Sequence, residues 1–188
     1  MDLLDEVAKL NPVPAGGAAA AYTAALGTAL VYKVLVFELN RKELDPGPQA
    51  TLRVAQKEIE RLFLDLKKQV KEDPRCYVRF SEQSKAGNRA ESKAAFLDIV
   101  TCSMHVMEKA YEGLEWVRQL SKISSVKLLT HLRVAAELLA AGMAATAHVV
   151  RENLKPLKSP LRQQSYLKNL ESLYEEAMTK KNEVMQTF

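Results

Sequence analysis

The chain has 188 residues, 47% of them hydrophobic and 27% charged, with a formal charge of +4. That balance excludes a disordered chain, which lacks the apolar content to offset its entropy, and the length requires no second domain. Basic residues alternate with acidic ones along most of the sequence, the pattern of a solvated helix face rather than of a nucleic-acid track, so no nucleic-acid partner is expected.

Ala, Leu, Glu, Lys and Arg dominate, while the seven glycines and seven prolines cluster at a few places. The reading is all-α, with one helical domain over 1–188 built as a bundle of long helices. Cys76 and Cys102 form no C-x-x-C pair and fit no secreted framework. Reduced thiols in a cytoplasmic protein, without a structural disulfide, are therefore expected. The acidic start Met1-Asp2-Leu3-Leu4-Asp5-Glu6 has neither the basic segment nor the apolar core of an export signal.

Asp2 is placed to cap a short helix that runs through Lys9. Two prolines and two glycines make Asn11–Gly17 a loop, which feeds an alanine-rich helix from about Ala18 to Arg41. Ala18–Phe37 has the length of a membrane span, but its alanines gain little from lipid and Lys33 interrupts it, so a core helix with no membrane is the better account. After the turn Asp45-Pro46-Gly47-Pro48, apolar residues at Leu52, Ala55, Ile59, Leu62, Leu66 and Val70 predict a helix to about Glu72. Asp73-Pro74 then reads as an N-cap and first-turn proline opening a further helix, which falters at Ala86-Gly87-Asn88.

Helical periodicity returns over Ala90–Ser121, Lys127–Leu154 and Leu161–Met185. The stretch Val134–Ala147, rich in Ala and containing Gly142, suits close approach to the alanine-rich second helix, so these two are expected at the centre.

From the residues alone, the loop glycines Gly16 and Gly17 beside a helix start could expose amides to an anion, or simply make a turn. His105, His131 and His148 show no metal-ligand spacing, so no metal is assigned. His131 could be a surface residue or a general acid/base.

Pro12-Val13-Pro14-Ala15-Gly16-Gly17-Ala18-Ala19-Ala20-Ala21, then Asn40-Arg41-Lys42, then Asp73, Cys76 and Tyr77 with Lys85 beyond, and finally Ser125–Leu154 with Val134-Ala135, Arg151, Asn153 and Leu154 stand in a recognisable order. Together they resemble the cyclodeaminase/cyclohydrolase family, which includes methenyltetrahydrofolate cyclohydrolases and the cyclodeaminase portion of formiminotransferase-cyclodeaminase. Against the family pattern, Ala15 stands for a glycine, Ala18 for a serine, Ser125 and Lys127 for asparagines, His131 for an aspartate and Val149 for an asparagine.

The resemblance implies a homodimer with a folate as its small-molecule partner and no further cofactor. It implies hydrolysis of 5,10-methenyltetrahydrofolate or cyclodeamination of formiminotetrahydrofolate, with Asp73, Lys85 and His131 as catalytic groups. Gly16 and Gly17 would then let the pterin approach the backbone, and Arg41, Lys42, Arg151 and Asn153 would bind substrate, the cations through its glutamate tail. The alternative is a non-catalytic helical homodimer of the same fold that keeps at most a folate pocket, since losing several polar groups removes proton-transfer and orienting functions while leaving the apolar pattern intact.

Overall fold

The computed structural model describes residues 3–41 and 46–187. Over these residues the chain forms α1 (Leu3–Val7), α2 (Gly16–Leu39), α3 (Pro46–Lys85), α4 (Arg89–Leu120), α5 (Val126–Leu154) and α6 (Pro160–Gln186), with no strand among them. The all-α bundle is as the composition requires. The predicted cap Asp2 and the predicted turn residue Asp45 lie outside the described residues.

α2 and α5 lie antiparallel at the centre, and small residues set their spacing. A Cβ built on Gly142 would lie 2.9 Å from the Ala24 Cβ and 3.0 Å from its backbone nitrogen, and one on Gly27 would lie 2.9 Å from Leu139 Cγ. Only hydrogen fits at these two positions, so the helices meet backbone to side chain. Buried hydroxyls on this pair are satisfied within their own helices, Thr28 donating to the Ala24 carbonyl at 2.9 Å and Thr146 to Gly142 at 2.8 Å. The two are also the described helices long and apolar enough to span a membrane; much of that apolar content is buried in the core.

α3 corrects one expectation. It is a single helix of 40 residues with Pro74 inside it, so Asp73 caps no new helix at that point. Pro74 cannot donate to the Val70 carbonyl, a loss of about 3 kcal/mol in an ordinary helix interior. Leu62 and Leu66 before the proline and Phe80 and buried Cys76 after it nevertheless fall within about 80° of one another around the helix, so the apolar stripe continues in phase. One unbroken helix keeps both halves against the same neighbours, and that packing offsets the missing bond.

Gly87, with φ +73°, ends this helix in the left-handed region, and Asn88 opens α4 by accepting from the Glu91 amide at 3.4 Å. α6 closes the bundle along a narrow seam of Leu170, Ala177 and Val184. Charge holds it as well: Lys180 reaches Glu115 of α4 at 2.8 Å. Hydrogen bonding from Arg118, joined by Lys180 and Gln119, lowers the Glu115 carboxyl to about 2 against its partial burial.

The α2–α5 contact predicts opposite outcomes for two glycines. Gly142→Ala, although favoured by helix propensity, should lower stability by about 1–3 kcal/mol through overpacking. Gly47→Ala, with nothing within 4 Å of its added Cβ, should be neutral or stabilising by up to about 1 kcal/mol. Urea unfolding of both variants checks this.

Candidate functional site

The amino terminus of α2 carries no cap of its own. Its N-cap residue, Ala15, has no side chain able to accept the amides exposed at a helix start. Asp73, from the middle of α3, takes that role and accepts from the backbone N–H of Ala18. This is the amide that a serine or aspartate at the N-cap position would serve. Asp73 is thus a cap, as its residue type suggests, but for α2 rather than for a helix of its own.

Gly17 makes room for it. A Cβ there would fall 2.6 Å from the Asp73 carboxyl carbon and closer still to one of its oxygens, whereas a Cβ on Gly16 would meet only Val149 at an ordinary 3.7 Å. Burial raises the Asp73 pKa, and the single amide bond from Ala18 offsets only part of that effect. The carboxyl therefore holds a proton to higher pH than a free aspartate does.

Around it lies a cavity of about 360 Å³, within the range of small-molecule sites. The loop Pro12–Gly17, which contains a cis Val13–Pro14 bond, forms one wall. Asp73 and Tyr77 of α3, Ile99 of α4, and His148, Val149, Glu152 and Asn153 of α5 form the rest. Two carboxylates, an imidazole, a phenol and a carboxamide thus face one partly apolar space. Among the described residues, no three His, Cys, Asp or Glu side chains cluster as metal ligands.

A second cavity, of about 550 Å³, is lined by Phe80 of α3, Phe96 of α4, and Pro156 and Leu157 in the segment after α5. The two rings stack at a tilt with centroids 5.8 Å apart. Arg89, Lys93 and Lys158 give it a cationic rim.

Of the residues singled out in the sequence, Gly16, Gly17, Asp73 and Asn153 meet in the first cavity. Arg151 is exposed and stands about 200° around α5 from Asn153. Lys85 is exposed at the end of α3, roughly 18 Å along the axis from Asp73. His131 lies on α5 roughly 25 Å from His148, at the opposite end of the bundle. Arg41 is at that end too, paired at 2.9 Å with buried Glu38, which also accepts from the Ser125 amide at 2.5 Å. Burial opposes ionisation of Glu38, but hydrogen bonds from Arg41 and Ser125 outweigh it and hold its pKa below the usual value. Lys42 lies outside the described residues.

Tyr77, His148 and Glu152 were not singled out as site residues. Glu152 lies i, i+4 from His148, and Glu152 and Asn153 lie i, i+3 and i, i+4 from Val149, neighbour spacings through which Asn153 could have pointed to them.

The raised Asp73 pKa fixes the sign of a pH effect. Between the unfolded and folded pKa values the folded chain binds more protons, so this group's contribution to stability falls as pH rises through that window. The stability of Asp73→Asn relative to wild type should therefore grow as pH rises from below the ordinary aspartate range through the raised folded pKa, and then level off. Denaturant titrations of both proteins at several pH values test it, and a difference independent of pH would contradict the assignment.

The formiminotransferase-cyclodeaminase family model matches residues 1–172. Among solved structures, formiminotetrahydrofolate cyclodeaminase from Thermotoga maritima superposes with a TM-score of 0.83 at 21% sequence identity, over 98% of this chain and 90% of that one. At that identity the likeness shows the fold. No curated protein matches. With a family model spanning nearly its whole length, the chain belongs to the formiminotransferase-cyclodeaminase family, whose setting is one-carbon folate metabolism.

Proposed function

We propose that the chain binds a tetrahydrofolate bearing a one-carbon unit in the cavity at Asp73 and acts on it, either hydrolysing the 5,10-methenyl form or cyclising the formimino form with loss of ammonia. The observation that carries this is Asp73 itself, a half-buried carboxyl held by one amide and facing an open cavity. A group whose charge is disfavoured when alone gains most from a cationic partner, and the methenyl bridge is a delocalised cation. A carboxyl that readily takes up a proton also suits a reaction in which one must be accepted and returned.

In the hydrolysis, water adds to the bridge carbon and loses a proton, after which a carbon–nitrogen bond breaks as nitrogen takes a proton up. In the cyclisation, a folate nitrogen adds to the formimino carbon and ammonia leaves protonated. Asp73 would face the cationic carbon, and His148 or Glu152 would exchange the proton. Gly16 would leave the loop backbone open to the ring system, and Asn153 would hydrogen-bond the ligand. The anionic tail would run outward over Arg89, Lys93 and Lys158, with Lys85 beyond them.

One observation favours the second reading, a pocket that binds without turnover. Val149, in place of the asparagine of the family pattern, lines the cavity with an apolar surface. Titration with 5,10-methenyltetrahydrofolate separates the two, because binding and loss of its near-ultraviolet absorbance are read from one sample. For a working site, Asp73→Asn should lower enzyme-dependent hydrolysis by about 10²–10⁴-fold and His148→Ala by a similar order. Binding with only the spontaneous rate would establish the non-catalytic reading, and absence of binding would defeat both.

A homodimer accounts for the residues left at the far end. Tyr22, Leu26, Lys33 and Phe37 form one exposed stripe along α2 with the 4, 7, 4 spacing of a helix-pairing seam, and the three apolar members are 40%, 49% and 54% exposed. A second copy laid antiparallel on that stripe would cover it and bring the Arg41 and His131 end of one protomer towards the Gly16 end of its partner. Wild type should sediment as a dimer and Leu26→Glu/Phe37→Glu as a monomer; a monomeric wild type would remove this part of the proposal.

A further inference from the structure

Cys76 of α3 and Cys102 of α4 meet beside Asp73. Their sulfurs are 3.1 Å apart. Both are free thiols, Cys76 buried and Cys102 half-buried. Each is tied to a wall of the cavity: Cys76 lies one turn beyond Asp73 and next to Tyr77, and Cys102 lies one turn beyond Ile99. Asp73 is near enough to bear electrostatically on the Cys102 thiol. The folate chemistry proposed above uses neither sulfur.

We propose that Cys76 and Cys102 form a dithiol that closes to an intramolecular disulfide by exchange with a low-molecular-weight disulfide such as oxidised glutathione, clamping the α3 and α4 walls of the cavity together. A disulfide places its sulfurs at about 2.05 Å, so closure asks for roughly one ångström of approach. Pro74, between Asp73 and Cys76, leaves α3 without one backbone rung at this turn, which is where the helix yields most easily.

The exchange balances. Cys102, the more exposed thiol, gives its proton to solvent and attacks one sulfur of the glutathione disulfide, whose S–S bond breaks; the departing thiolate takes up a proton. Cys76 then gives up its proton and attacks the Cys102 sulfur, forming the protein disulfide and expelling the second glutathione, which is protonated in turn. Two protein thiols are oxidised and one disulfide is reduced to two thiols. Burial, reinforced by the contact with Cys76, pushes the Cys102 thiol up to about 12. Its thiolate is therefore scarce at neutral pH, and closure should accelerate about tenfold per pH unit.

The test incubates the full chain with graded mixtures of oxidised and reduced glutathione between pH 7 and 9, followed by intact mass, peptide mapping and amide exchange. The expected product is a single chain lighter by two hydrogens, with the Cys76 and Cys102 peptides joined and reversible by dithiothreitol. Amide exchange over residues 73–77 and 99–102 should slow at least tenfold. Cys102→Ser and Cys76→Ser should each stop at a mixed disulfide or stay reduced; should the buried Cys76→Ser fail to fold, Cys102→Ser and the wild-type peptide map decide alone. Thiols that remain reduced at every ratio, a stable glutathione adduct on the wild type, a disulfide between two chains, or an oxidised form with unchanged exchange would each overturn the proposal. No folate enters the measurement, so its outcome is independent of the folate reading.

Discussion

The contact between α2 and α5 sets the frame for everything else in the molecule. Because Gly142 faces Ala24 and Gly27 faces Leu139 with no space for another carbon, the antiparallel register of the two helices has little freedom to slide. That register brings the start of α2 beside the end of α5, with Gly16 against Val149. It equally brings the end of α2 beside the start of α5, with Glu38 against Ser125. The cavity at one end and the ion pair of buried Glu38 with exposed Arg41 at the other both follow from it.

At each end a helix start is served by a carboxylate from a different helix. The two carboxylates differ in how fully they are met. Glu38 receives a guanidinium as well as hydrogen bonds from Ser125, enough to hold it charged despite complete burial. Asp73 receives one amide and faces an open cavity, so burial prevails and its proton is retained more easily. The first is an internal staple. The second is underserved by its own protein, which is the condition under which a group responds to a ligand.

The cavity is assembled from four separate stretches, and only some of its chemistry follows the family pattern. Asp73, Gly17 and Asn153 are in place, while Ala15 and Val149 stand where the family pattern has a glycine and an asparagine, and Val149 puts apolar surface where a polar side chain would orient a ligand. Folding does not register these changes, because the apolar stripes that pack the bundle are untouched. The cationic second cavity is built from residues that no local motif singles out, and the thiol pair joins Cys76 of the Asp73-Cys76-Tyr77 segment to Cys102, which stands in no motif.

The sequence alone determined the helices, their order and the central pair, since periodic apolar residues, small-residue runs and Gly–Pro punctuation act over a few turns and are legible locally. It was misleading at Asp73-Pro74, where a local start signal was overridden by an apolar stripe continuing in phase on both sides. What only the tertiary structure decided is which residues share a space. Gly17 and Asp73 are far apart in the chain and meet because Asp73 fills the position a Cβ would occupy. His131 and His148 sit on one helix and are separated by its length. Proximity of that kind depends on how helices are laid against one another, through contacts between distant segments that leave no periodic trace in a single sequence.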